Sequence, residues 1–155
     1  MQIKSQFSIA VHILTCIAFF QDQYRVTSEF LAGSIGANPV IIRTVISALR
    51  QSGFLQTRQG AADISIAKPL DQISLYDIYI ALECISAEGL FHLHEQPNPN
   101  CPVGRNIHAC LTPHLERAQS AMENVLKETT LQCIVDEARK QELQQTSKME
   151  LIDHR

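Results

Sequence analysis

The chain has 155 residues, of which 45% are hydrophobic, and a formal net charge of −3. That length and apolar content suit one domain, or one domain with an appendage, and exclude a chain too polar to bury a core. Its five cysteines, an odd number without regular spacing, exclude a disulfide framework.

The net charge conceals an asymmetry. Residues 1–68 hold six bases (Lys4, Arg25, Arg43, Arg50, Arg58, Lys68) against three acids (Asp22, Glu29, Asp63), a balance of +3. The remaining residues hold seven bases against thirteen acids, a balance of −6. The first part is suited to approach a polyanion and the second is not.

In chain order, Ile3 to Phe20 reads as a helix. Phe7, Val11, Leu14 and Ala18 line one face, and Ala10, Ile13 and Ile17 the next, so it should be buried on most sides. The apolar run 7–20 lacks an A-x-A-like cleavage site and is interrupted by His12, Thr15 and Cys16. It is therefore not read as a signal peptide, and it is too short to span a bilayer. The expectation is a cytoplasmic protein without a membrane partner. His12 and Cys16, one turn apart, read as core residues rather than as metal ligands.

Val26 to Ile35 reads as a short helix capped by Thr27 or Ser28. Gly36-Ala37-Asn38 is a tight turn. Asn38 and Pro39 then open a helix that closes on Gly53. Within it Ile42, Val45, Ile46 and Leu49 fall at i, i+3, i+4 and i+7, one buried stripe. The opposite face carries Val40, Arg43, Thr44, Ser47 and Gln51, with Arg50 beside it and no acid. Two helices joined through a short glycine-containing turn form the helix-turn-helix pattern, and this face suits phosphates and base edges.

Phe54 to Arg58 and Ile64 to Ala67 read as two strands around the turn 59–63. A hairpin in that position is a wing, with Arg58 near its tip placed for a minor groove or a phosphate. Ser74 to Ile85 is the next helix, with Leu75, Ile78, Tyr79, Leu82 and Ile85 inward. Residues 86–106 form a long loop, dense in Pro, Asn and Gly from Glu95 to Gly104. Val103 to Lys127 is mostly helical, and Leu111, Leu115, Ala118, Met122 and Val125 make a 4-3-4-3 seam suited to a partner helix, from a second copy or from within the monomer. Pro113 predicts a new helix start capped by Thr112, or a kink, with the main seam at 113–128. Thr129 or Thr130 should cap a last helix with Leu131, Ile134, Val135 and Ala138 inward. From about Gln141 the sequence predicts a frayed polar tail. The organisation is thus 1–68, a winged helix-turn-helix; 69–140, a sensor loop and dimerisation helices; and 141–155, the tail. The fold class is mostly α with a small β-hairpin wing.

Taken together, MQIKSQFSIAVHIL, NPVIIRTVISALRQSGFL, a glycine-containing wing, ISLYDIYIALE, HEQPNPNCPVGRNI and TTLQCIVDEA resemble the Rrf2 family of bacterial winged-helix transcription regulators. The resemblance covers roughly residues 1–140. It implies a homodimer that binds double-stranded DNA, with the helix around 113–128 paired to its mate and each recognition helix in a major groove. It places Val40, Arg43 and Thr44, with Asn38 and Pro39 at the helix start, at positions that contact DNA in relatives. Arg58 matches a wing arginine, and Ser28 sits at a helix N-terminus facing phosphate.

The chain departs from the family at the sensor. Cluster-binding relatives carry three closely spaced cysteines before the dimer helix; here only Cys101 lies in that loop. No iron–sulfur cofactor is therefore expected. Cys101, beside Pro102 at a helix start, is the candidate sensor thiol of a redox-responsive regulator, read as a repressor. A zinc site from His92, His94, Cys101 and Cys110 is chemically conceivable, but its spacing matches no established zinc pattern. Alternatives are a regulator sensing a small molecule or metal, and a winged-helix module that binds protein. No P-loop, dinucleotide motif or nucleophile–base set argues for an enzyme.

Overall fold

The computed structural model describes residues 5–21, 23, 25–57, 64–83 and 89–153, with side chains to residue 148. Helix α1 (Gln6–Phe20) buries Ala10, Ile13, Leu14, Cys16, Ile17 and Ala18. It is the post against which the other elements pack, as its two apolar faces predict. The His12–Cys16 pair divides. Cys16 is buried, whereas His12 is at the surface rather than in the core. Both reach Ser34 of the next helix, at 3.2 Å from His12 Nε2 and 3.5 Å from Cys16 Sγ. That polar neighbour holds the imidazole at the rim of the α1–α2 contact.

Helix α2 (Ser28–Ile35) is capped by Thr27, whose Oγ1 accepts the Phe30 amide at 3.2 Å. Helix α3 (Pro39–Gln51) starts at Asn38, whose Oδ1 accepts the Val40 amide at 2.8 Å. Gly36 and Gly53 close the two helices at φ 68° and 73°, a left-handed conformation that glycine adopts without a side-chain clash. The two helices bend by 114° at the turn, within the range of a helix-turn-helix. Ile42, Val45, Ile46 and Leu49 are all buried, as their spacing predicts. Asn38→Ala should lower unfolding stability by about 1 kcal/mol through the lost cap. An unchanged urea midpoint would remove the side chain from that role.

Strands β1 (Leu55–Thr57) and β2 (Ile64–Ile66) pair antiparallel, with Leu55 opposite Ile66 and Thr57 opposite Ile64. The wing tip, including Arg58, lies outside the described residues. Phe54, Leu55 and Ile64 are buried, so the root of the hairpin belongs to the core.

Helix α4 (Leu75–Ala81) opens with a capping box: Asp77 accepts from Ser74 while Ser74 Oγ accepts the Asp77 amide. It buries Ile78 and Tyr79 but is shorter than predicted. Glu83, at φ 47°, stands in the left-handed region just past its end; Ile85 lies outside the described residues. Helix α5 (Pro102–Glu128) runs through Pro113 without a new start, so the break predicted at Thr112 does not occur. Proline removes the amide that would bond the Ala109 carbonyl. Both residues are exposed, where water can satisfy that carbonyl.

Helix α6 (Leu131–Asp153) also departs from expectation: residues from Gln141 continue the helix rather than fraying. Its first turns bury Leu131 and Val135, and Arg139 donates to the Ala18 carbonyl at 3.4 Å. The last helix thus closes the core begun by the first. Among the described residues no single helix is long and apolar enough to cross a membrane.

Candidate nucleic-acid interface and thiol site

The stripe that buries α3 leaves its opposite side outward. Asn38, Pro39, Val40, Arg43, Thr44 and Ser47 are all exposed, and Val40 retains 63% of its surface. Val40, Arg43, Thr44, Ser47, Ala48 and Gln51 line one shallow groove. Thr44 Oγ1 donates to the Val40 carbonyl at 3.0 Å. Its hydroxyl hydrogen is therefore engaged within the helix, leaving its methyl and an oxygen lone pair for a ligand.

A second groove lies between the start of α2 and the middle of α3, lined by Thr27, Ser28, Glu29, Arg43, Ser47 and Arg50, among others. Ser28 is half-buried there. This groove contains what the sequence reading missed. Glu29 lies 3.8 Å from the Arg43 guanidinium, so the face described as free of acids has one. The Glu29 amide and then Ser28 hold the carboxyl below its ordinary range; desolvation opposes them by more than Arg43 adds in their favour. The crossing of α2 over α3 brings the pair together; spacing within either helix does not reveal it.

The second site is Cys101, half-buried at the N-cap of α5. Asn98 builds the turn before it, accepting the Asn100 amide on Oδ1 at 2.9 Å and the Cys101 amide on its carbonyl at 3.2 Å. A Cβ at position 104 would collide with the Asn98 backbone, so Gly104 permits this close approach. The Gly104 and then the Val103 amides hold the Cys101 thiol below the ordinary range. The helix start thus favours a thiolate, as the position beside Pro102 predicts. A second thiol was not foreseen. Exposed Cys133, in the first turn of α6, is also lowered, mainly by Thr130, whose Oγ1 lies 3.3 Å from the sulfur. The signal was present as Thr130 three residues ahead of Cys133, the spacing of a helix cap.

The predicted partner seam lies along α5, which has no fully buried residue. Leu111, Ala118 and Val125 are exposed, and Val125 keeps 62% of its surface. Met122 is half-buried against the core. Leu115 is half-buried; with Leu111 and the 90–94 segment it lines a cavity of about 300 Å³. In that cavity wall His94 stacks edge-on against His108, with ring centroids 4.9 Å apart.

The sequence model of one family, Rrf2, described as "Iron-dependent Transcriptional regulator", matches residues 3–137. The chain is 37% identical over 134 residues to "Putative HTH-type transcriptional regulator YwnA" of Bacillus subtilis (strain 168), covering 86% of this chain and 97% of that protein. Among solved structures, that of "a putative DNA binding protein" is similar at a TM-score of 0.64 and 34% identity, over 84% of this chain and 98% of the other. Oxidized Staphylococcus aureus CymR shares the fold at a TM-score of 0.66 and 20% identity, over 87% and 96% of the two chains.

The iron in the family description calls for a ligand set, and the described cysteines do not fit one for a cluster. Cys101 starts α5, exposed Cys110 lies further along it, Cys16 is buried in α1, and Cys133 is on α6. Among the described residues no three His, Cys, Asp or Glu side chains converge as a metal site; Cys84 lies outside them. Helix α3, the short turn before it and the hairpin root after it have the order of a winged helix-turn-helix. With the match over residues 3–137, they place this chain in the Rrf2 family of DNA-binding transcriptional regulators.

Proposed function

We propose that the chain acts as a homodimeric repressor in the cytoplasm, with Cys101 coupling the redox state to DNA affinity. Val40, Arg43, Thr44 and Ser47 read the major groove, Asn38 and Pro39 set the start of the reading helix, and Ser28 meets a phosphate. Arg58 contacts the duplex from the wing. Leu111, Leu115, Ala118, Met122 and Val125 form the seam to a second copy, giving the two-fold arrangement that paired half-sites require. No iron–sulfur cluster takes part.

The single observation that carries this reading is the placement of Cys101. Cys101 stands at the N-cap position of the same helix that bears the seam, and the Gly104 and Val103 amides favour its thiolate. Attack of the thiolate on a hydroperoxide forms an S–O bond and breaks the O–O bond. It yields a sulfenic acid and hydroxide or alkoxide, oxidising sulfur by two electrons. The added oxygen sits where the Val103 and Gly104 amides converge and disturbs the start of the helix.

The test is fluorescence anisotropy with duplex DNA from upstream of the chain's own gene, before and after mild peroxide treatment. Tight reduced-state binding that weakens on oxidation is expected, and Cys101→Ser should abolish the response. A variant that responds like the parent would discard Cys101 as the sensor and point to Cys133. Binding indifferent to oxidation would favour a second reading, a small-molecule effector in the apolar cavity beside Leu111 and Leu115. Its volume is at the lower limit of ligand sites.

A further inference from the structure

We propose that Glu29 is a specificity-determining residue that acts through Arg43, keeping its guanidinium away from DNA phosphates until a cognate site is met. This deepens the DNA-binding reading and rests on α3 being the reading helix.

Arg43 is the basic residue on the outward groove of α3, and its side chain is 62% exposed. Nothing in the core holds it, so its position is set by what is near. What is near is a carboxylate from another helix, 3.8 Å away. Ser28 Oγ donates to that carboxylate at 3.2 Å, and Glu29 stands in the first turn of α2, where the helix dipole favours an anion. The groove that joins the two residues also contains Thr27, Ser28 and Arg50. Thr27 and Arg50 are donors a DNA phosphate would meet on docking against α2 and α3, while the one hydroxyl hydrogen of Ser28 is held by Glu29. Glu29 thus stands in the groove that a phosphate approaching Arg43 from the α2 side would have to enter.

An exposed ion pair is weak, and that weakness suits the role. A cognate base edge offering two acceptors to the guanidinium outcompetes one loosely held carboxylate. A phosphate in a misaligned, non-cognate complex must displace Glu29 and also meets its charge. The acid therefore penalises non-cognate DNA more than cognate DNA, which is specificity by an unfavourable contact.

The test uses the full-length protein and a random-sequence 30-base-pair duplex, titrated by anisotropy over a range of salt. A duplex selected from a random pool by the parent protein is the cognate probe. Glu29→Gln should tighten random-duplex binding several-fold, to about tenfold near 0.1 M salt. It should steepen the salt slope by about 0.9, the value of one added phosphate contact. Cognate affinity should change less, so the specificity ratio falls. In an Arg43→Ala background, Glu29→Gln should lose that added slope. A salt slope and ratio unchanged by Glu29→Gln, while the parent binds both probes, would overturn the proposal. So would an equal gain with Arg43 removed, since Glu29 would then act by direct repulsion. A parent that binds neither probe would refute the reading helix itself. Glu29 is exposed, and unchanged circular dichroism of the variant checks that the fold is retained.

Discussion

Arg43→Ala should lower affinity for cognate DNA by about 10- to 100-fold, the contribution of a two-pronged arginine contact to a base edge. Non-cognate binding should fall less, because in that complex the guanidinium is already engaged by Glu29 at 3.8 Å. Arg43→Lys should fail to restore selectivity, since an ammonium cannot present two parallel donors to one base. Anisotropy with the two duplexes separates the outcomes. Equal losses on both probes would make Arg43 a phosphate contact and move sequence reading to Val40, Thr44 and Ser47.

Leu131→Ala should destabilise the whole chain by about 2–5 kcal/mol, the range for deleting a buried leucine side chain. Leu131 is fully buried, and so is Val135 one turn on. They belong to α6 yet fill the same core as Ile13, Leu14 and Ile17 of α1. Urea unfolding followed by far-ultraviolet circular dichroism and tyrosine fluorescence should show one coincident transition moved to lower urea. Two separated transitions would mean that the DNA-binding part folds independently of the last helix. On this view the boundary drawn near residue 68 divides roles, and both sides contribute to one core.

The parts readable from sequence were those set by neighbours within one turn of helix. Asn38, Pro39 and Gly53 bracket α3 through local backbone chemistry, and the stripe from Ile42 to Leu49 fixes its buried side. Cys101 was legible for the same reason, since a residue before Pro102 stands at a helix start. What escaped depends on solvent or on distant crossings. Pro113 reads as a new helix start or a kink, and the new start does not occur, because on an exposed face water can satisfy the carbonyl that loses its bond. The polar run after Gln141 reads as a tail, but its Gln, Glu, Lys and Leu are good helix formers. Nearby side-chain pairs such as Gln141 with Glu137, at 2.7 Å, support the helix. Glu29 and Arg43 are fourteen positions apart, and only the bend between α2 and α3 joins them.

The corner between α5 and α6 gives the long helix a mechanical character. The Leu75 amide donates to the Thr129 carbonyl at 2.9 Å, and the Leu131 amide donates to the Ile73 carbonyl at 2.7 Å. These two bonds clamp that end of α5 to the start of α4, beside the core. Met122 and Leu126 also pack against the core, so the arm of α5 beyond them extends about 30 Å to Cys101. A tilt of about 5° at its base moves the tip by about 2.6 Å, close to the length of a hydrogen bond. The helix is a lever with its thiol at the long end and its pivot against the core that α3 shares. By this geometry a rotation of the core too small to repack it would be enlarged at Cys101, and a small force at Cys101 would bear on the core with the leverage of that arm.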